Sequence, residues 1–301
     1  MPNHQKPFFS STAEMTCLLR AKSFGETRAR YKGDDFIAVL LAQAQTSFSS
    51  MIQKSFMLGP DASFPTVPPG TYEYILARTN YLDGLINTLP AGIVQVFILG
   101  AGYDSRACRF QQTLKNCTVY ECDHPDMQAR KKELFHKIDI DFPINVHFIP
   151  IDFARKNLRQ RLVELNIAKG QTCFFIIEGL LCYLTQQQMD TLFTAISTHG
   201  GAQSRVAFDY MYTQVLDDET RDAGAASYAG AVKGLGEAWL SGITKGTVNR
   251  YLAKFGFSII EEITARDLTG HLFTNDRQRA AARIMDLFSL VYAQKNTDDG
   301  V

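Results

Sequence analysis

Neither sign of charge is in surplus: lysine plus arginine number 31 and aspartate plus glutamate number 31 in 301 residues. Without a global field nothing draws the chain onto nucleic acid, so that class of partner is set aside. No apolar run approaches the roughly 20 residues that span a bilayer, so no membrane helix is expected. Met1 to Phe9 shows no signal-peptide pattern. The six cysteines, Cys17, Cys108, Cys117, Cys122, Cys173 and Cys182, contain no CxxC pair. Neither a metal centre nor a dithiol redox site is therefore expected. Cys122 and Cys173 fall in or beside expected strands, where buried thiols are common. Reduced cysteines in a cytoplasmic protein are the expectation. Internal repeats and low-complexity tracts are also missing.

What is present is a 46% hydrophobic composition, enough for one large α/β domain with an accessory helical layer. Residues 1–90 read as a helical cap that is part of that domain, and residues 91–301 as its core. Asp34-Asp35 precedes the apolar run Phe36 to Leu41, and acids suit a first helical turn. Pro60 to Gly70 is a Pro-rich connector. Thr71 opens a helix with Tyr74, Ile75, Tyr81, Leu82, Leu85 and Ile86 on its apolar side. From residue 93 the pattern alternates. Strands are expected at 94–99, 118–122, 146–150, 173–177 and 205–210 with helices between them, which gives a parallel sheet with right-handed crossovers. Thr185 and Gln188 form a capping box ahead of Met189, Leu192, Phe193 and Ile196 at helical spacing. A Gly-rich stretch, Gly224 to Gly246, marks an insertion at about 211–246. Helix 247–254, strand 257–263 and a strand near 287–293 follow, the two strands forming an antiparallel edge.

The chemistry collects where the strands end. Strand one runs from Ile93 into Gly100-Ala101-Gly102, and strand two ends at Glu121-Cys122-Asp123. In open α/β sheets ligands sit outside the carboxyl ends of the strands. The next two strand ends carry Asp152-Phe153 and Glu178-Gly179. Glycine followed by three acids is the wrong polarity for a phosphate, which wants donors and cations. It suits a ligand with hydroxyls, an amine and a positive centre, as in S-adenosylmethionine. Each piece has a plainer reading. Gly100-x-Gly102-x-x-Ser105 is also an ordinary tight turn, and Asp123 also suits a helix cap before Pro125. Arg78, set between Tyr74 and Tyr81-Leu82, is either a snorkelling surface side chain or a fork for a carboxylate.

Three segments occur in order: Leu99-Gly-Ala-Gly-Tyr-Asp-Ser-Arg106, Tyr120-Glu-Cys-Asp-His-Pro125 with Gln128 and Lys131, and Ile177-Glu-Gly-Leu-Leu-Cys-Tyr-Leu184. Together with Arg20-Ala21, Asp34 to Ala38, Ala77-Arg78-Thr79, Phe208-Asp209-Tyr210 and Gly236-Glu237 they resemble the leucine carboxyl methyltransferase family, including its bacterial S-adenosylmethionine-dependent O-methyltransferase branch. The resemblance runs from about residue 12 to about residue 268. It implies a Rossmann-like class I methyltransferase fold: a mostly parallel sheet of about seven strands with an antiparallel edge strand and a helical cap. It also implies roles. Arg78 would bind the methionine carboxylate, with Arg20 as a second basic candidate there and Lys22 as its rival. Gly100 and Gly102 would line the methionine and ribose, and Asp123 would take the ribose hydroxyls. Asp152 and Phe153 would face the adenine, Glu178 would meet the methionine amino group, and Tyr183 would stand near the transferred methyl. The family's Asp-Pro is Asp34-Asp35 here.

The expected activity is methyl transfer from S-adenosylmethionine to a carboxylate or hydroxyl oxygen of a small molecule or peptide C-terminus. A carboxylate acceptor needs no base, whereas a hydroxyl does. The histidines supply no convincing one, which favours a carboxylate acceptor: His124 starts a helix, His199 ends one, and His271 is unplaced. Tyr210, Tyr212, Tyr228 and Trp239 either line an acceptor cleft or pack the insertion onto the core. The competing readings are an NAD-dependent oxidoreductase using the same glycine loop, and a cofactor-binding module without catalysis.

Overall fold

The computed structural model describes residues 10–45, 68–216, 230, 232–233, 237–273 and 284–297. Most of the Pro60–Gly70 connector, much of the 211–246 insertion with Tyr228, and the side chain of His271 lie outside the described residues.

The core is a seven-stranded sheet. Its strands are β1 (Gln95–Leu99), β2 (Thr118–Asp123), β3 (Val146–Pro150), β4 (Cys173–Ile177), β5 (Arg205–Met211), β6 (Phe257–Thr264) and β7 (Phe288–Lys295). The spatial order is β3-β2-β1-β4-β5-β7-β6. β1 to β5 pair in parallel, and β7 runs antiparallel to both β5 and β6. The reversed strand is thus one place in from the edge, with β6 outside it. Every residue of β1 and of β4 is buried, as befits central strands covered on both faces. Parallel neighbours in register share a face, so Phe97 of β1 stacks between Tyr120 of β2 at 4.8 Å and Phe175 of β4 at 5.0 Å.

Among the described residues, helices α1 (Ser11–Phe24), α2 (Phe36–Ala44) and α3 (Thr71–Asn87) precede the sheet. The acid pair at 34–35 does start a helix, as Asp35 is the N-cap of α2 and accepts the Ala38 N–H at 3.0 Å. Between β1 and β2 lies only a four-residue helix, α4 (Arg106–Arg109). α5 (Pro125–Lys137) and α6 (Leu158–Glu164) flank β3, and α7 (Gln186–His199) carries the expected capping box. α8 (Val248–Ala253) precedes β6, and α9 (Ala265–Phe273) follows it. All six cysteines are free and buried. Among the described residues no helix is long and apolar enough to cross a membrane.

From β1 the chain steps one way to β2 and β3, then returns to β4 and steps the other way. The crevice left between the carboxyl ends of β1 and β4 is where such sheets take their ligands.

Candidate active site

A cleft of about 1190 Å³ opens at that crevice. Arg20, Arg78, Gly100, Gly102, Asp123, Asp152, Phe153, Glu178 and Tyr183 all line it. The sequence-expected residues are therefore brought together; what each does there differs in detail.

The glycine turn requires glycine. Gly100 has φ +74° and Gly102 φ +44°, the left-handed region that side chains resist. A Cβ on Gly100 would also stand 3.1 Å from the Leu180 side chain. Asp123 holds the turn from β2: one carboxylate oxygen accepts the Gly102 N–H and the other accepts the His124 N–H at 2.6 Å. The helix cap is His124, with Pro125 at the first helical position, so capping is not the work of Asp123. Burial raises the Asp123 carboxyl against the opposing pull of those two amides. Asp152 accepts the Ala154 N–H at 2.9 Å, and Phe153 beside it is half-buried.

Arg78 is 6% exposed, which removes the snorkelling reading. Its Nε donates to Glu178 at 2.9 Å and its Nη1 to Asp209 at 2.7 Å. The guanidinium grips two protein carboxylates before any ligand arrives. Gly179, at φ +63°, leaves room for this fork: a Cβ there would lie 3.3 Å from Arg78 Nη1. Arg106 takes the second oxygen of Glu178 and bonds Asp104 and Asp83 at 2.6 Å each. Burial alone would raise the Glu178 carboxyl, but Arg106, Arg78 and Arg20 outweigh it and hold the group well below the usual carboxylate range. Arg20 donates to Asp35 at 2.9 Å and to the Tyr103 carbonyl at 2.8 Å, so it fastens α1 to the glycine loop. Lys22 stands over the Tyr72 ring instead and does not line the cleft. The linked web contains Arg20, Arg78, Arg106 and Arg109 against Asp35, Asp83, Asp104, Glu178 and Asp209. Its acids exceed its arginines by one.

One acid leaves the rim. Glu121 is 1% exposed and pairs with the equally buried Lys131 of α5 at 2.6 Å. Burial pushes its carboxyl up to about 6, against the pull of Lys131. Alternation puts Glu121 and Asp123 on one face of β2; Glu121 lies within the strand, where α5 covers it, and Asp123 is the last strand residue. Gln128, also on α5, donates to the Glu121 and Ile149 carbonyls at 2.9 and 3.0 Å and ties β2 to β3. His199 ends α7 and is buried beside Gln95 at 3.3 Å, where burial pushes its pKa down to about 4.

The sequence reading assigned no role to Arg106, Asp209 or Glu237. Each had a signal: an arginine inside the glycine-loop segment, an acid within the apolar strand Val206 to Met211, and an acid after Gly236. Glu237 joins the segment from residue 237 to the start of α1, accepting Ser10 Oγ–H at 2.9 Å, Thr12 N–H at 3.3 Å, and also the Ser11 N–H and Thr12 hydroxyl. Tyr183 donates to Thr12 Oγ1 at 3.2 Å. Trp239 lines the cleft, while Tyr210 and Tyr212 are buried and pack instead.

A seven-stranded sheet in the order β3-β2-β1-β4-β5-β7-β6, parallel but for β7 and with its crevice at the switch point, is a class I methyltransferase fold. A solved structure described as a "putative methyltransferase" from Thermobifida fusca YX superposes with a TM-score of 0.57 at 17% identity, covering 94% of this chain and 95% of that one. The family model for leucine carboxyl methyltransferase matches residues 13–197, and the chain belongs to that family. It is an enzyme of the methyltransferase class. The relatives include a Bacillus subtilis (strain 168) protein, 26% identical over 69% of this chain and 68% of its own length, described as a "putative S-adenosyl-L-methionine-dependent methyltransferase". A Mycolicibacterium smegmatis protein of the same description is 30% identical over 58% of this chain. The match takes in only 56% of that relative's length and 65% of the Mycobacteroides abscessus one.

Proposed function

We propose that the chain transfers a methyl group from S-adenosylmethionine to an oxygen, hydroxyl or carboxylate, of a small molecule or peptide C-terminus. The observation that carries this reading is the tie from Gly102 to Asp123, which presents a half-buried carboxylate and a side-chain-free turn to one ligand. Asp123 retains lone pairs for a ribose diol. Asp152 and Phe153 offer an acceptor and a ring to adenine. Arg78, assisted by Arg20, faces the methionine carboxylate, and Glu178 the amino group. The charge of the web supports this assignment: an excess of one acid matches a donor whose zwitterionic end is neutral and whose sulfonium is positive.

When bound, the donor supplies a methyl group on a positive sulfur, open to in-line displacement. The protein orients it and excludes water, which are the main sources of rate for such a transfer. Arg106, Arg78 and Arg20 hold Glu178 well below the usual carboxylate range, which makes it too weak a base to serve as the proton acceptor. The free, buried cysteines fit the reducing interior of a cell.

A dinucleotide cofactor would put its pyrophosphate at the helix after the glycine loop. Here Asp104 already accepts the Arg106 N–H at 2.6 Å at the start of that four-residue helix, and a phosphate would meet a carboxylate. Calorimetry with S-adenosylhomocysteine and with NADH tests the reading. Binding of S-adenosylhomocysteine alone is expected; no heat from it in folded protein would overturn the proposal.

A further inference from the structure

Resting on that reading, the acceptor half of the cleft narrows the substrate. A volume of about 1190 Å³ exceeds the ~300–1,000 Å³ of a usual small-molecule site, so space remains beyond the strand ends that face the donor. That space is bordered by rings. Phe288, at the start of β7, stacks on Tyr74 of α3 at 4.7 Å, and Trp239 meets Phe288 edge-on at 5.7 Å. Tyr183 and Leu180, from the turn after β4, also line the cleft.

The ring wall is fixed in advance. The Leu240 N–H donates to the Cys182 carbonyl at 2.7 Å, Ser241 Oγ donates to the Leu184 carbonyl, and Glu237 clasps residues 10–12. Trp239 is therefore held from both sides of its own short segment. The polar groups at this end are a carboxylate, Glu237, and two hydroxyls, Thr12 and Tyr183. A carboxylate can only accept. Glu237 already accepts four hydrogen bonds, so it acts here by its charge: a carboxylate substrate would bring a second negative charge beside it, whereas a neutral hydroxyl would not.

We propose that the methyl acceptor is the hydroxyl of a planar aromatic ring, seated against Trp239 and Phe288 with its oxygen on the Tyr183 side of the cleft. A lone pair on that oxygen forms the new O–CH3 bond as the S–CH3 electron pair returns to sulfur, and the hydroxyl proton leaves to water at the cleft mouth. Flat rings gain stacking and edge contacts on such a wall.

Trp239 is the chain's single tryptophan, so its emission reports on this half alone. The test takes the full-length protein, first shown by calorimetry to bind S-adenosylhomocysteine, and titrates it with 4-methylphenol, 2-naphthol and the matched 4-methylbenzoate. A parallel assay follows labelled methyl transfer from S-adenosylmethionine to the phenols, to the benzoate and to a peptide ending in leucine. The expected result is a change in Trp239 emission with 4-methylphenol and label on the phenols. Trp239→Ala and the milder Trp239→Phe should raise the phenol KM, the former by roughly tenfold, and leave S-adenosylhomocysteine affinity unchanged. Label on the benzoate or the peptide in preference, no label on any phenol, or an unmoved KM in Trp239→Ala would overturn the proposal. Failure to bind S-adenosylhomocysteine would instead sink the donor assignment.

Discussion

The two halves of the cleft are built by opposite means. The strand-end half is a lattice of buried charge: Arg78, Arg106 and Arg20 converge on Glu178, Asp209, Asp104 and Asp35. The other half is a set of rings, Tyr74, Phe288 and Trp239, drawn from α3, β7 and the insertion. Charge in a poorly solvated site is strong and unforgiving, because each ion needs its partner. Ring contacts are individually weak and tolerate exchange. One half suits a fixed ligand that never varies, and the other a partner that differs between relatives.

Substitutions can break that contrast. The largest effect is expected at Glu178. Glu178→Ala takes one charged partner from each of two buried arginines, which keep Asp209 and Asp104 with Asp83, and should lower stability by about 3 kcal/mol, with S-adenosylhomocysteine binding lost; urea unfolding and calorimetry read both. A stability loss below ~1 kcal/mol would mean that the web behaves like a surface network. Next, Asp123→Ala should weaken S-adenosylhomocysteine binding by roughly 1–3 kcal/mol, the cost of buried polar groups left unpaired. Unchanged affinity would reduce Asp123 to a brace for Gly102. Thr185→Ala removes the capping box of α7 at a residue that does not itself line the cleft, and should cost about 1 kcal/mol in thermal unfolding with both binding constants intact.

Acidity sharpens the same contrast. Glu178 is held below its ordinary value, so its contribution is fully present above the unfolded carboxylate range and fades only as pH falls through the lower folded value. Glu121, raised to about 6, has the opposite sign: its contribution is present below the unfolded value and is lost as pH rises toward 6. His199, lowered to about 4, is destabilising as pH falls from the ordinary histidine value toward 4. Unfolding curves taken across pH 4–7 should therefore flatten at the acid end in His199→Gln, while S-adenosylhomocysteine affinity in the parent keeps its value. A fall in affinity near pH 6 would show that Glu121, not Glu178, governs the donor half.

Much of the fold was readable because alternation and apolar runs have local causes. The five parallel strands fall within a residue or two of the expected limits, and Thr185, Pro125 and Asp35 mark their helices by cap chemistry that needs no tertiary information. The site's positions were readable for the same reason: strand ends are local, and the glycine turn announces its backbone. Partners were not. Nothing in a one-dimensional pattern says that Glu121 faces Lys131 while Asp123 faces Gly102. Nor does it say that Arg78 reaches Asp209, 131 residues away. Those pairings follow from which strand lies beside which. The order of β5, β7 and β6 was likewise invisible, since two adjacent strands in sequence gave no hint that the later one would slip inside.

That insertion bears on how the molecule is made. Among the described residues β6 has no strand to bond except β7, and β7 is completed only at Lys295. While the polypeptide emerges from the ribosome, the first five strands can assemble in the order they appear, but β6 must wait beside an open edge. Phe288 is thus the last part of the ring wall to leave the ribosome, after every strand that borders the crevice between β1 and β4.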